Sequence, residues 1–372
     1  MLALSASLCD RVRLEIEAAG GWLPFQRYMD LALYAPGLGY YSAGAAKLGS
    51  AGDFTTAPEL SSLFGATLAR QVAEFLAQAR GDVLEIGAGS GKLARDLLVA
   101  LDGLGSPPRR YLILDLSADL IERQRQCLAA LPAHLRERVA WITELPERLS
   151  GVVLGNELLD ALPVHLLSHT DDGWRERGVM CDGQQFLWAD RPITSTTLRA
   201  WTESQSLPVP YLTEVNLAAQ ALVASLGARL QRGALLFIDY GFGAGEYYHP
   251  QRHQGTLMCH YRHRSHDNPF FLPGLQDITA HVDFSAIARA GVRAGLRLAG
   301  YNSQARFLAN AGITDLPTRL PAGSADYMHA IAPVQKLLSP AEMGELFKVI
   351  ALTRDFEGMP MGFRSGSLDR LL

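Results

Sequence analysis

The chain has 372 residues, of which 48% are hydrophobic and 19% charged, and its formal net charge is −4. That length suits one large domain or two ordinary ones, with enough apolar residues for a sizeable core. The mild negative balance argues against nucleic-acid binding by bulk electrostatics, and no apolar run approaches bilayer length, so no membrane insertion is expected. Four scattered cysteines (Cys9, Cys127, Cys181, Cys259) without a Cys-x-x-Cys pair argue for a reducing compartment and against a zinc site. Behind a short apolar start, Asp10, Arg11, Arg13, Glu15 and Glu17 resemble neither a secretory signal nor an acid-poor transit peptide. A soluble cytoplasmic protein is the expectation.

In chain order, residues up to about 80 form an N-terminal segment. Leu63, Phe64, Leu68, Val72 and Leu76 mark one face of an apolar helix there. Ahead of it lies the polar cluster Gly52-Asp53-Phe54-Thr55-Thr56-Ala57-Pro58-Glu59. Pro58 and Glu59 suit the first turn of that helix, with Thr56 as its cap. Capping does not account for the preceding Gly-Asp-Phe. A segment folded over a ligand would use Asp53 or Thr55 as contacts.

From residue 82 onward strand and helix signals alternate. Strands are predicted at 83–86, 111–114, 139–142, 152–154 and 234–238, with two more at 296–300 and 347–352. Helices are predicted at 92–101, 117–130 (capped by Ser117) and 220–230. Short apolar strands separated by helices predict an α/β fold with a parallel sheet covered on both faces. Residues 164–188 alternate apolar and polar around Asp171-Asp172-Gly173 and Asp182-Gly183, which predicts an antiparallel meander. Residues 241–276 are rich in Gly, His, Tyr and Pro and read as a long functional loop.

The strand at 83–86 runs into Gly87-Ala88-Gly89-Ser90-Gly91 and then into a helix. A glycine turn of this kind lets a ligand lie against the backbone at a helix start. The third glycine comes one residue earlier than in the dinucleotide pattern. A turn shaped only for packing is the bland alternative. Asp115 ends the second strand, where a carboxylate can accept both hydroxyls of a ribose diol. It also suits the flank of the next helix. Asn156, Glu157 and Asp160 follow the fourth strand, at the end of the sheet where ligands bind. Paired carboxylates there can grip a guanidinium and steady positive charge; they also suit a helix N-terminus. His249, His253, His260, His263 and His266 crowd the long loop without ligand geometry, so no metal is expected.

Glu85-x-Gly87-x-Gly89-x-Gly91 resembles motif I of class I methyltransferases. With Tyr28-Met29, Gly39-Tyr40-Tyr41, the 52–59 cluster and Asn156-Glu157-Leu158-Leu159-Asp160-Ala161-Leu162-Pro163, the chain resembles the MidA family of S-adenosylmethionine (SAM)-dependent methyltransferases. Glu214-Val215-Asn216, Asp239-Tyr240-Gly241, Gly255-Thr256-Leu257 and His281-Val282-Asp283-Phe284 extend the match over most of the chain. The family includes a mitochondrial complex I assembly factor that methylates an arginine. The resemblance implies a class I, Rossmann-like, seven-stranded core at 81–372, with insertions near 164–190 and 241–277 and a helical segment at 1–80 over the cofactor. It implies SAM as cofactor, held by Glu85, Gly87, Gly89, Gly91, Asp115, Asp53 and Thr55. The family commonly has Glu where this chain has Asp115. The implied partner is a protein substrate carrying a target arginine, such as a respiratory complex subunit, oriented by Glu157, Asp160 and Asn156. A small-molecule methyltransferase and an assembly chaperone with little turnover are the alternatives.

Overall fold

The computed structural model describes residues 2–43, 56–316 and 325–372, and the side chains of 325–330 lie outside that description. Asp53 and Thr55 therefore lie outside the described residues.

The large sheet has eight strands. Seven form its path: β1 (Asp82–Ile86), β2 (Tyr111–Leu114), β3 (Val139–Ile142), β4 (Leu149–Asn156), β5 (Leu230–Phe242), β6 (Arg297–Ser303) and β7 (Phe347–Arg354). Their spatial order is β6-β7-β5-β4-β1-β2-β3, and Val282–Asp283 pairs with the end of β5. The first five strands run parallel to one another, while β7 is antiparallel to both β5 and β6. The chain leaves β1 in one direction across the sheet and β4 in the other, so the β1/β4 border is a switch point in strand order.

Side-chain alternation explains the covering of both faces. Val83, Ile113, Val152, Leu154, Leu236 and Ile238 share one core with the helices Ser62–Ala79 and Lys92–Gly103. Leu84, Leu112, Val153, Leu235 and Phe237 share another with Leu217–Arg229 and Phe284–Arg293.

The predicted meander is present as His165–Thr170, Gly173–Asp182 and Gln185–Pro192, extended by Tyr211–Val215 and by Leu23–Pro24. The N-terminal helices Leu2–Ala18 and Phe25–Tyr34 pack on it through Leu8, Val12, Phe25, Tyr28 and Met29. Cys259 and Ile278, from a small three-stranded sheet, complete that core.

Two expectations change. Pro58 and Glu59 belong to a separate short helix, Ala57–Leu60, whose Thr56 cap makes no side-chain bond. Ser61, in extended conformation, separates that helix from the next and caps the second by accepting the Leu63 N–H at 3.1 Å. Residues 241–276 are not irregular throughout: they contain a helical turn at Ala244–Tyr247 and the paired strands Met258–Tyr261 and Arg264–His266.

Candidate active site

A cavity of about 630 Å³ opens at the carboxyl ends of β1, β2, β4 and β5. One wall is the glycine turn. Gly87, Gly89 and Gly91 have φ of +70°, +54° and +82°, the left-handed region that glycine enters freely. At Gly91 a Cβ would also stand 2.9 Å from the Cα of Gln124, so this turn closes against the backbone of the helix Ala118–Leu128. The short helix Ala57–Leu60 is tied to the turn: Ser90 donates its hydroxyl to Glu59, and Lys92 Nζ reaches the Pro58 carbonyl at 2.6 Å.

Glu85 is buried just before the turn and accepts the Tyr111 hydroxyl at 2.6 Å. Burial pushes its carboxyl up to about 7, and nearby Asp115 adds to the rise. Asp115 Oδ1 accepts the Ser117 N–H at 2.9 Å and Oδ2 accepts the Gln124 amide at 2.7 Å. The same Gln124 nitrogen reaches the Gly89 carbonyl at 3.1 Å, and its Oε1 accepts the Trp141 indole N–H at 2.9 Å. Gln124 carried no sequence signal; it is an interior helix residue that only packing brings to the turn.

The opposite wall follows β4. Glu157 has φ of +51°, unfavourable for a residue with a Cβ. The surrounding bonds hold it there. Its N–H donates to the Ile238 carbonyl at 2.8 Å. The Asp239 carboxylate accepts the N–H groups of Leu158, Leu159 and Asp160 at 3.1, 2.7 and 3.3 Å. Asn216 supports the same turn by donating to the Leu159 and Leu162 carbonyls. Asp239 and Asn216 stand in motifs of the resemblance, and their role here is to hold the 156–163 loop.

Seven acids line the cavity: Asp30, Glu59, Glu85, Asp115, Glu157, Asp160 and Asp277. No Lys or Arg is among the described lining residues. Burial, together with Asp239 and Asp277, pushes the Glu157 carboxyl up to about 8. Burial and the same neighbours push Asp160 well above the usual carboxylate range. The Asn156 amide donates to Glu157 at 3.1 Å. Asn156 Oδ1 and Asp160 Oδ1 are enclosed acceptors without a hydrogen-bond partner among the described residues.

Asp30, Tyr34, Tyr41 and Asp277 join this wall from distant segments, and the Tyr41 hydroxyl donates to Asp277 at 2.9 Å. Tyr240 and His281 complete it, and burial with the nearby Arg252 and Lys348 charges lowers the imidazole to about 4. The aromatic residues of 241–276 are mostly occupied elsewhere. Tyr247 donates to Glu214, Tyr248 donates to Asp283, and Phe270 packs against Tyr28 and Trp188. Those contacts hold them within the fold, and none of the three lines the cavity. Of the five loop histidines only His260 lines the cavity. Among the described residues no group of His, Cys, Asp and Glu is arranged to hold a metal.

The model of a family described as "Putative S-adenosyl-L-methionine-dependent methyltransferase" matches residues 67–302. A crystal structure from Burkholderia thailandensis, bound to S-adenosyl-homocysteine, is 53% identical with a TM-score of 0.96, covering 100% of this chain and 98% of that one. "Protein arginine methyltransferase NDUFAF7, mitochondrial" of Danio rerio is 30% identical over 393 residues, 94% of this chain and 87% of the relative. The Mus musculus protein of the same name is 30% identical over 369 residues, 89% of this chain and 81% of the relative. These names overturn the expectation of a cytoplasmic location, because both relatives are called mitochondrial. Location is set by targeting segments, so the composition of the folded part carries no reading of it. Among the described residues no helix is long and apolar enough to cross a membrane. The resemblance read from the motifs holds: the chain belongs to this family of S-adenosyl-L-methionine-dependent methyltransferases.

Proposed function

We propose that the enzyme methylates an arginine side chain of a protein substrate. The observation that carries this reading is the pair of enclosed, unpartnered acceptors Asn156 Oδ1 and Asp160 Oδ1, in a cavity whose described lining is acidic and holds no Lys or Arg. Buried acceptors are stable when a ligand supplies donors, and a guanidinium brings five N–H donors and a positive charge. The relatives' names, which specify protein arginine methylation, support the same acceptor.

In this reading the seven-strand path is the class I Rossmann-like core, and the cavity divides at the switch point. The half over β1 and β2 takes SAM. The glycine turn fits a ligand lying against the backbone, and its donors face a negative group. Asp115 lines the cavity at the end of β2, where a carboxylate can receive the two ribose hydroxyls. Glu85, Gly87 and Gly89 line the rest of this half, while Gly91 does not line it and closes the turn against the helix behind. The N-terminal segment covers it through Thr56, Pro58 and Glu59.

The half over β4 and β5 takes the acceptor. Bound SAM supplies a methyl carbon made electrophilic by the sulfonium. A guanidinium is fully protonated at neutral pH, so its nitrogens are poor nucleophiles. Glu157 and Asp160 orient it and draw its charge away from the attacking nitrogen, while Asn156 accepts a further N–H; as that nitrogen gains the methyl from sulfur, it loses a proton to water or to an ionised carboxylate of the pair. Orientation of this kind lowers barriers by several kcal/mol, up to roughly 7–11 in well-organised systems. The test is incubation with isotopically labelled SAM and the soluble proteome of cells lacking the gene, followed by mapping of the modified residue. Label on arginine supports the reading. Label on a metabolite alone, or on another side chain, ends it.

A further inference from the structure

We propose that Glu214 is a positioning residue for the methyl acceptor: it fixes the turn at residues 256–257, and through Thr256 the His281 backbone, as one wall of the acceptor half of the cavity. The inference rests on reading that half as the acceptor side. Glu214 lies in the strand Tyr211–Val215, is 1% exposed and does not line the cavity. Its Oε1 accepts the N–H groups of Thr256 and Leu257 at 2.8 and 3.0 Å. Its Oε2 accepts the hydroxyls of Thr256 and Tyr247 at 3.1 and 3.3 Å. Thr256 Oγ1 in turn accepts the His281 N–H at 3.0 Å. Thr256 and His281 both line the cavity. Gly255, with φ of +77°, lets the turn come down on the carboxylate, because a Cβ there would collide with Glu214 Oε1.

A carboxylate in this place is costly unless it holds something. Burial raises the Glu214 carboxyl above its ordinary range, and the bonds from Thr256, Leu257 and Tyr247 offset that cost. Charge-assisted bonds to backbone N–H groups are about twice as strong as neutral ones. Space filling would be met by an apolar residue; fixing a turn of a cavity wall is not. The two motifs Glu214-Val215-Asn216 and Gly255-Thr256-Leu257 are thus two sides of one joint.

The test compares Glu214→Ala with Glu214→Gln. In the Ala variant the amides of Thr256, Leu257 and His281 should exchange with deuterium about tenfold faster or more, as expected for the loss of charge-assisted bonds. Amides of the glycine turn and affinity for S-adenosylhomocysteine should stay within about twofold of wild type, since separate sites act independently. Methyl incorporation from labelled SAM into the soluble proteome of cells lacking the gene should fall about tenfold or more. The Gln variant should recover most of both readouts, because its amide oxygen keeps the backbone donors and the two hydroxyls can turn to accept its NH₂. If Glu214→Ala does not fold, Thr256→Val carries the test through His281 exchange and methylation. Unchanged exchange at 256–257, loosened exchange with full methylation, or cofactor affinity falling in step with methylation each overturns the proposal. If wild type labels no protein, the arginine reading fails, while the exchange pattern still decides whether Glu214 holds the wall.

Discussion

Gln124 donates its side-chain amide to Asp115 at 2.7 Å and, from the same nitrogen, to the Gly89 carbonyl at 3.1 Å. One helix residue therefore fixes the distance between the acid at the end of β2 and the glycine turn after β1. Replacing it with Leu keeps the bulk and removes both bonds. The expected loss is about 1–2 kcal/mol of cofactor binding, or roughly 5–30-fold in S-adenosylhomocysteine affinity. Titration calorimetry checks this, and wild-type affinity would separate Gln124 from the site.

Gly91→Ala meets two penalties at once, a left-handed backbone and a contact of 2.9 Å with the Cα of Gln124. The helix backbone cannot yield as a flexible side chain would. A stability loss of about 1–3 kcal/mol is expected in chemical denaturation, together with weaker cofactor binding. A variant equal to wild type in both would contradict the close approach.

Asp239→Asn tests the anchor of the acceptor loop. The carboxylate accepts three N–H groups on one oxygen and the Tyr240 N–H on the other. An amide offers one acceptor and sets its NH₂ against a donor. The expected cost is about 1–3 kcal/mol of stability. Methylation should fall by a larger factor than S-adenosylhomocysteine affinity, because the loop belongs to the acceptor half. Equal losses would assign Asp239 to general folding alone.

The Glu157 carboxyl, raised to about 8 in the folded protein, titrates near 4.3 when unfolded. Between these values the folded state holds the extra proton, so stability falls as pH rises through this window. Glu157→Gln removes that titration. It should match wild type near pH 5 and exceed it at pH 8.5 by about 1–2 kcal/mol, a figure reduced for the water that reaches this half-buried group. Acceptor methylation by wild type should rise as pH approaches about 8, since only the ionised form attracts a cation. In Glu157→Gln that rise should flatten, with cofactor affinity unchanged. Denaturation at several pH values and a pH–rate profile check the two halves; a rise that persists in the variant assigns the titration to another group.

The sequence by itself determined the strand–glycine turn–helix unit of Asp82–Ile86 and Lys92–Gly103, the acid ending β2, and the polar run after β4. Those features are local: apolar period, turn chemistry and position at a strand end are written within about ten residues. Only the tertiary structure decided which distant groups meet them. Tyr41 reaches Asp277 across 236 positions, Asp239 holds Leu159 from 80 positions away, and Glu214 holds Thr256 from 42. Such bonds depend on strand register and on which helix packs over which strand, and no local pattern encodes either. The break at Ser61 was hidden for a related reason. Pro58 and Glu59 suit the start of any helix, and only the docking of Ala57–Leu60 against the glycine turn makes that helix end after one turn.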